Sequence, residues 1–226
     1  MGIIRKTLFA GTLTAATALG YLNASTVVVR PLPPRDPLFS SKLWKRHNAY
    51  KNPAVQDICL KHIPLDDIRP ELLEREGDLV LEFCRGVWSG LGYEAQRRIL
   101  ERKYSNESTA TDLWSREQLA ESDYEPGTVI TDHFEVVEKT PTSITVRCGD
   151  SPRNSGPRES DGLFTISARV DPDKGLAELG LRSAFFNSAR RLEGPEARPP
   201  MGRLMFELHL WYARLWMATG HRRVLR

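Results

Sequence analysis

The stretch MFELHLWYARLWMATG, Met205–Gly220, sets two Trp, a Tyr, a Phe and two Met around one His, one Glu and one Arg. Read as a helix, it has Leu204, Leu208, Tyr212 and Leu215 at the centre of one face. Arg203, Glu207 and Arg214 form a narrow stripe on the opposite side, Arg203 and Glu207 at i, i+4 spacing. Three charges in the middle make a bilayer span expensive, so the pattern predicts an amphipathic helix lying on a sheet.

A sheet for it to lie on is legible upstream. In VQDICLKHI, Val55–Ile63, residues Ile58, Leu60 and His62 alternate with Asp57, Cys59 and Lys61, and Pro64 ends the run. LDDIRPELLE then predicts a short helix, capped by Asp66 or Asp67 with Pro70 in its first turn. A longer helix is expected from Asp78 towards Tyr104, with Leu79, Phe83, Val87 and Leu91 at spacing four and Ile99 and Leu100 continuing the apolar side. Gly86, Gly90 and Gly92 interrupt it, each at a cost of roughly 1 kcal/mol relative to Ala. Such glycines point to a kink, or to close approach of another element or a ligand. Four strand-like runs follow, Thr128–Lys139, Thr142–Asp150, Gly162–Val170 and Gly175–Asn187. EKTPTS and DPDKG supply turn chemistry between strands, so the four make an antiparallel meander. SPRNSGPRES is a polar loop, and EGPEARPP leads to the final helix.

The chain has 226 residues, 40% hydrophobic and 27% charged, and a net charge of +3. That supports one domain plus an appendage. A domain of about 190 residues buries roughly 70% of its unfolded surface and needs no metal or disulfide to fold. The charge is small and dispersed, without a basic stripe, which argues against nucleic acid as a partner. Cys59, Cys84 and Cys148 are an odd number at wide spacing, read as buried thiols rather than a disulfide framework or zinc ligands.

At the amino terminus, Thr7 to Val29 carries no charge. Such a run is long enough to span a hydrocarbon core of about 30 Å. A single-pass anchor over residues 1–30 is the favoured reading, with a cleaved signal peptide and a mitochondrial presequence as alternatives. Lys6 argues against myristoylation of Gly2. More Lys and Arg follow the run than precede it, so the large domain is expected on the cytoplasmic side of an endomembrane such as the endoplasmic reticulum. Lumenal placement stays open, in which case the sequon at Asn106 would matter. RPLPPRDP opens a Pro-rich linker over residues 31–54, expected as a stiff spacer, and residues 55–226 form the main domain.

One strand, two helices, a meander and a long last helix is an element order that resembles the helix-grip fold of START and polyketide-cyclase-like proteins. The resemblance implies an α+β domain whose antiparallel sheet wraps the C-terminal helix, often around an apolar ligand cavity. EFCRGVWSGLGYEAQR, GLFTISARVD, GLAELGLRSAFF and GRLMFELHLWYARLWM are also similar to small membrane-anchored fungal proteins encoded beside polyketide or polyketide–peptide synthases. That similarity implies a role in secondary-metabolite assembly, folding or cyclising an apolar intermediate, with the membrane and other biosynthetic enzymes as partners. A lipid or metabolite carrier and a scaffold are the alternatives.

Candidate chemistry follows from side-chain type. His209 sits on the shoulder of the apolar helix face beside Met205, Tyr212 and Trp216, where an imidazole could move a proton at neutral pH, unless it is a satisfied boundary His. Tyr212 could hydrogen-bond an activated carbonyl. His133 and Glu135 share one face of a predicted strand and form an acid–base pair if that face is concave, or solvated polar residues if it is not. Trp88, Tyr93, Met205, Leu208, Trp211 and Trp216 are the candidate ligand-binding residues, with core packing as the alternative. Arg147 and Arg182 could polarise a carbonyl, or pair on the surface with Glu138 or Glu178. No GxSxG, GxxxxGK[ST] or GxGxxG occurs, so no cofactor and no metal is expected.

Overall fold

The computed structural model describes residues 20–226. Its frame is one antiparallel sheet in the order β1-β2-β7-β6-β5-β4-β3. The strands are β1 (Val27–Val29), β2 (Val55–Pro64), β3 (Val129–Ile130), β4 (Phe134–Thr140), β5 (Ser143–Cys148), β6 (Asp161–Asp171) and β7 (Leu176–Phe186). The helices are α1 (Pro37–Ser40), α2 (Lys42–His47), α3 (Asp78–Ser89), α4 (Leu91–Tyr104), α5 (Arg116–Glu121) and α6 (Arg203–Gly220). The protein is thus α+β, with a seven-stranded antiparallel sheet and a C-terminal helix.

Seven strands replace the five expected, for two reasons. Val27–Val29 pairs with Ile58–Leu60 as an edge strand, so the end of the uncharged run belongs to the sheet. The predicted strand Thr128–Lys139 is two, β3 and β4, joined by a turn with Thr131 at φ 50° and Asp132 at φ 54°. Left-handed backbone is costly for a β-branched residue, so side chains must hold it. The Tyr93 hydroxyl hydrogen-bonds Thr131 Oγ1, and Asp132 Oδ1 accepts from Ser151 Oγ at 2.6 Å and from Arg153. The short helix expected at Leu65–Glu74 is a pair of 3-10 turns, Leu65–Asp67 and Pro70–Leu73.

The glycines explain the helical layer. The long helix expected to Tyr104 breaks at Gly90 into α3 and α4, while Leu91 and Ile99 end up exposed. A Cβ at Gly86 would lie 2.2 Å from the carbonyl oxygen of Gly220, and one at Gly220 would lie 2.9 Å from Val87 Cγ2. Backbones of α3 and α6 therefore touch at this crossing. That contact chooses the buried side of α6, which is Leu210, Ala213, Trp216, Met217 and Gly220. Leu204, Leu208 and Leu215, expected to face the sheet, are exposed. Both sides of α6 are apolar, so periodicity alone could not choose between them.

Strand alternation gives the sheet two buried faces. Cys59, Val146, Phe164 and Ile166 join the core under the helices, with Phe83, Val87, Trp88 and Trp216. Ile58, Leu163, Ala184 and Phe186 point the other way and meet Leu32 and Leu38, and Trp44 packs edge-on against Phe186 at 5.2 Å. Residues 31–54 are therefore a cover for the second face and not the expected spacer, because their prolines are interspersed with apolar side chains. Asn52 pins the cover, donating to Asn187 O at 2.8 Å and Arg190 O at 2.7 Å.

No helix among the described residues is long and apolar enough to cross a membrane. The anchor expected over residues 1–30 falls mainly on residues 1–19, which lie outside the described residues.

Candidate functional site

A cavity of about 260 Å³ opens between the helix-facing side of the sheet and helices α4 and α6. Phe134, Phe164, Phe185, Tyr212, Ala213 and Trp216 make its walls apolar, and Gln96, His133, Cys148, Ser183 and His209 add the polar atoms. Register explains the sheet side. Val146, Phe164 and Ser183 are cross-strand neighbours on β5, β6 and β7, and Ser183 stands opposite Asp57 on β2. All four therefore project to the same face.

Asp57 decides what the cavity can do. It is fully buried, and its Oδ1 lies 2.9 Å from His209 Nε2 across 152 residues of sequence. Phe185 meets the His209 ring edge-on at 5.2 Å, and Phe206 stacks on it at 6.2 Å between centroids. An imidazole so held donates from Nε2 to the carboxylate, and its lone pair is then on Nδ1. That is the arrangement of an oriented general base: a carboxylate fixes the tautomer and stabilises the imidazolium that forms on proton uptake.

The other polar groups have narrower roles. The Tyr212 hydroxyl donates to Gln96 Oε1 at 3.0 Å, and burial pushes its pKa up to about 12, so it stays a protonated phenol. Burial likewise pushes the Cys148 thiol up to about 12 and the Cys59 thiol up to about 11, which removes both as nucleophiles near neutral pH. Cys84 is raised further by full burial. Ser183 Oγ is buried without a hydrogen-bond partner, and so is the second carboxylate oxygen of Asp57, Oδ2.

Of the expected site residues, His209, Tyr212 and Trp216 line the cavity, and so does His133. His133 gets there from the β3–β4 turn and not from a strand, its ring tilted against Tyr104 at 4.5 Å between centroids. Glu135 is not its partner. Phe134 and Val136 point into the helix-side core, so Glu135 faces the opposite side, across from Arg147. Trp88 and Tyr93 are core residues behind the wall, packed edge-on to Trp216 at 5.3 and 5.4 Å. Met205, Leu208 and Trp211 lie on the exposed side of α6 and do not reach the cavity. Arg147 and Arg182 pair with Asp161 at 2.7 Å and Asp36 at 3.2 Å, not with Glu138 or Glu178, and both pairs sit on the covered second face.

Asp57, Ser183, Gln96, Phe164 and Phe185 were not anticipated. Asp57 alone left a signal, an acidic residue on the same strand face as Cys59. Among the described residues, no three His, Cys, Asp or Glu side chains group as metal ligands. No family model matches the chain, and neither a curated protein nor a solved structure matches it.

Proposed function

We propose that the protein binds a hydrophobic, polyketide-like molecule in the cavity beneath α6 and promotes its cyclisation by proton transfer, without a cofactor. The observation that carries this reading is the His209–Asp57 pair set in an apolar wall. A base held this way can remove a proton next to a carbonyl, and an enclosing pocket can hold the resulting nucleophile near its target. The strand order, with β2 beside β7 and α6 against both, supports a helix-grip-like assignment. At about 260 Å³ the cavity falls just below the usual range of ligand pockets, roughly 300–1,000 Å³. A compact ring system, or one segment of a longer chain, fits that size. A carrier would share the pocket but would not require an oriented imidazole.

The direct test is binding of the neutral dye N-phenyl-1-naphthylamine, whose emission rises in apolar surroundings. Dye binding is expected in the full chain and is lost in Ala213→Phe, which fills the cavity from α6, while the melting temperature stays within a few degrees. Equal dye binding by both proteins would place the dye elsewhere and remove the pocket reading.

Membrane association belongs to the same proposal. The uncharged run from Thr7 supports it, and so does an exposed stripe on α6. Leu204, Leu208, Trp211 and Leu215 are 76%, 55%, 36% and 39% exposed. Beside the stripe, Arg30 pairs with Glu207 at 2.7 Å and Arg214 donates to Asn23 at 3.2 Å, so the end of the run and the residue after it lie against α6. An apolar face with flanking arginines suits the headgroup boundary of an anionic membrane. Vesicles containing phosphatidylserine and brominated phosphatidylcholine are expected to quench the wild-type tryptophan emission more than that of Trp211→Phe. Identical quenching would keep the stripe out of lipid.

A further inference from the structure

We infer that the ligand of this cavity presents a hydroxyl group, alcohol, phenol or enol, to Ser183 and Asp57. The inference rests on the ligand-binding reading above and adds what the ligand must carry. Two of the buried side-chain atoms that lack a hydrogen-bond partner sit at one place on the helix-facing sheet surface: Ser183 Oγ and Asp57 Oδ2. The two residues are directly opposed across β7 and β2, and both are fully buried. They do not bond each other. Ser183 lines the cavity, and Asp57 is joined to it through His209.

Buried polar groups are nearly always paired, so two orphans on opposed residues, Ser183 in the cavity wall and Asp57 beside it, point to what completes them. Ser183 offers a hydroxyl proton, and Asp57 Oδ2 offers a lone pair. A ligand hydroxyl satisfies both at once, its oxygen accepting from Ser183 and its proton going to Asp57. A ketone or ether accepts from Ser183 but turns lone pairs towards the carboxylate. An ionised acid would be repelled by Asp57. A methyl group would leave both orphans unpaired, and sites built around buried polar groups discriminate most strongly against a ligand that lacks its half of the bond. Since Asp57 also holds His209, the hydroxyl is bound next to the proposed base.

The test uses the full chain and three compounds of one size, 2-naphthol, 2-methoxynaphthalene and 2-methylnaphthalene, each displacing N-phenyl-1-naphthylamine. 2-Naphthol is expected to bind about ten- to a hundredfold more tightly than 2-methylnaphthalene, with 2-methoxynaphthalene close to the methyl compound. In Ser183→Ala the preference for 2-naphthol shrinks several-fold, since only its bond to Asp57 remains, while the dye still binds. Equal affinity of naphthol and methylnaphthalene for the wild type would overturn the hydroxyl inference and leave the pocket standing. Tight binding of the methoxy compound would overturn the role of Asp57. If the dye itself fails to bind in the cavity, the ligand-binding reading falls first. A preference for naphthol undiminished by Ser183→Ala would locate hydroxyl recognition away from this pair and overturn the inference too.

Discussion

Asp161→Ala destabilises the protein by about 3–5 kcal/mol, the usual cost of leaving a buried charge without its partner. Asp161 is 1% exposed and accepts Arg147 Nε at 2.9 Å and Nη2 at 2.7 Å, with Ser188 Oγ at 2.6 Å on the same carboxylate. Its removal strands Arg147, itself 6% exposed, beside a second guanidinium. That neighbour, Arg158, is 1% exposed, donates to the carbonyls of Asn154 and Asp150, and has Nη2 unpartnered. Burial and then the charge of Arg147 hold its pKa below the usual arginine value, so the two cations already oppose each other. For a chain of this length the loss reads as a fall in melting temperature of roughly 6–20 °C. Asp161→Leu combined with Arg147→Met recovers most of it, since an apolar pair of similar volume has no charge to strand. A fall of less than about 2 °C in the single variant would mean that the pair is solvated and that the second sheet face is not closed by residues 31–54.

His209→Ala removes the proposed base. The ring opening of 5-nitrobenzisoxazole reads this without knowledge of the natural substrate. A base takes the proton on carbon 3, those electrons form the nitrile, and the nitrogen–oxygen bond breaks to give a coloured phenolate. The wild-type chain is expected to accelerate this reaction, and His209→Ala to slow it by about a hundredfold or more, as general-base contributions run at roughly 10²–10⁴. Towards this probe, which carries no hydroxyl, Asp57 acts only through His209 and is a positioning residue. Asp57→Asn is expected to lower kcat with KM nearly unchanged, since the carboxylate that orients and stabilises the imidazolium is gone while the apolar walls remain. Glu135→Gln, on the far face of the sheet, leaves the rate at the wild-type level. Wild-type turnover in His209→Ala would end the proton-transfer proposal and leave a carrier.

The candidate site was partly legible. His209, Tyr212 and Trp216 stood out because aromatics crowd one helix, and those three do line the cavity. His133 was found for a reason that failed, since it reaches the cavity from a left-handed turn and not from a shared strand face with Glu135. Met205, Leu208 and Trp211 were misplaced because α6 has apolar side chains on both sides. A wheel drawn on one helix cannot say which neighbour arrives.

By itself the sequence determined the local elements: alternation and turn chemistry marked the five longest strands, Gly86, Gly90 and Gly92 marked a helix break and a close approach, and length with composition sufficed for one buried core. Those properties depend on residues a few positions apart. Tertiary structure alone decided the buried side of α6, through backbone contact at Gly86 and Gly220, and the union of Asp57 with His209. It also decided that residues 31–54 cover a face. Each of these depends on which distant surfaces meet, and a one-dimensional pattern carries no record of that.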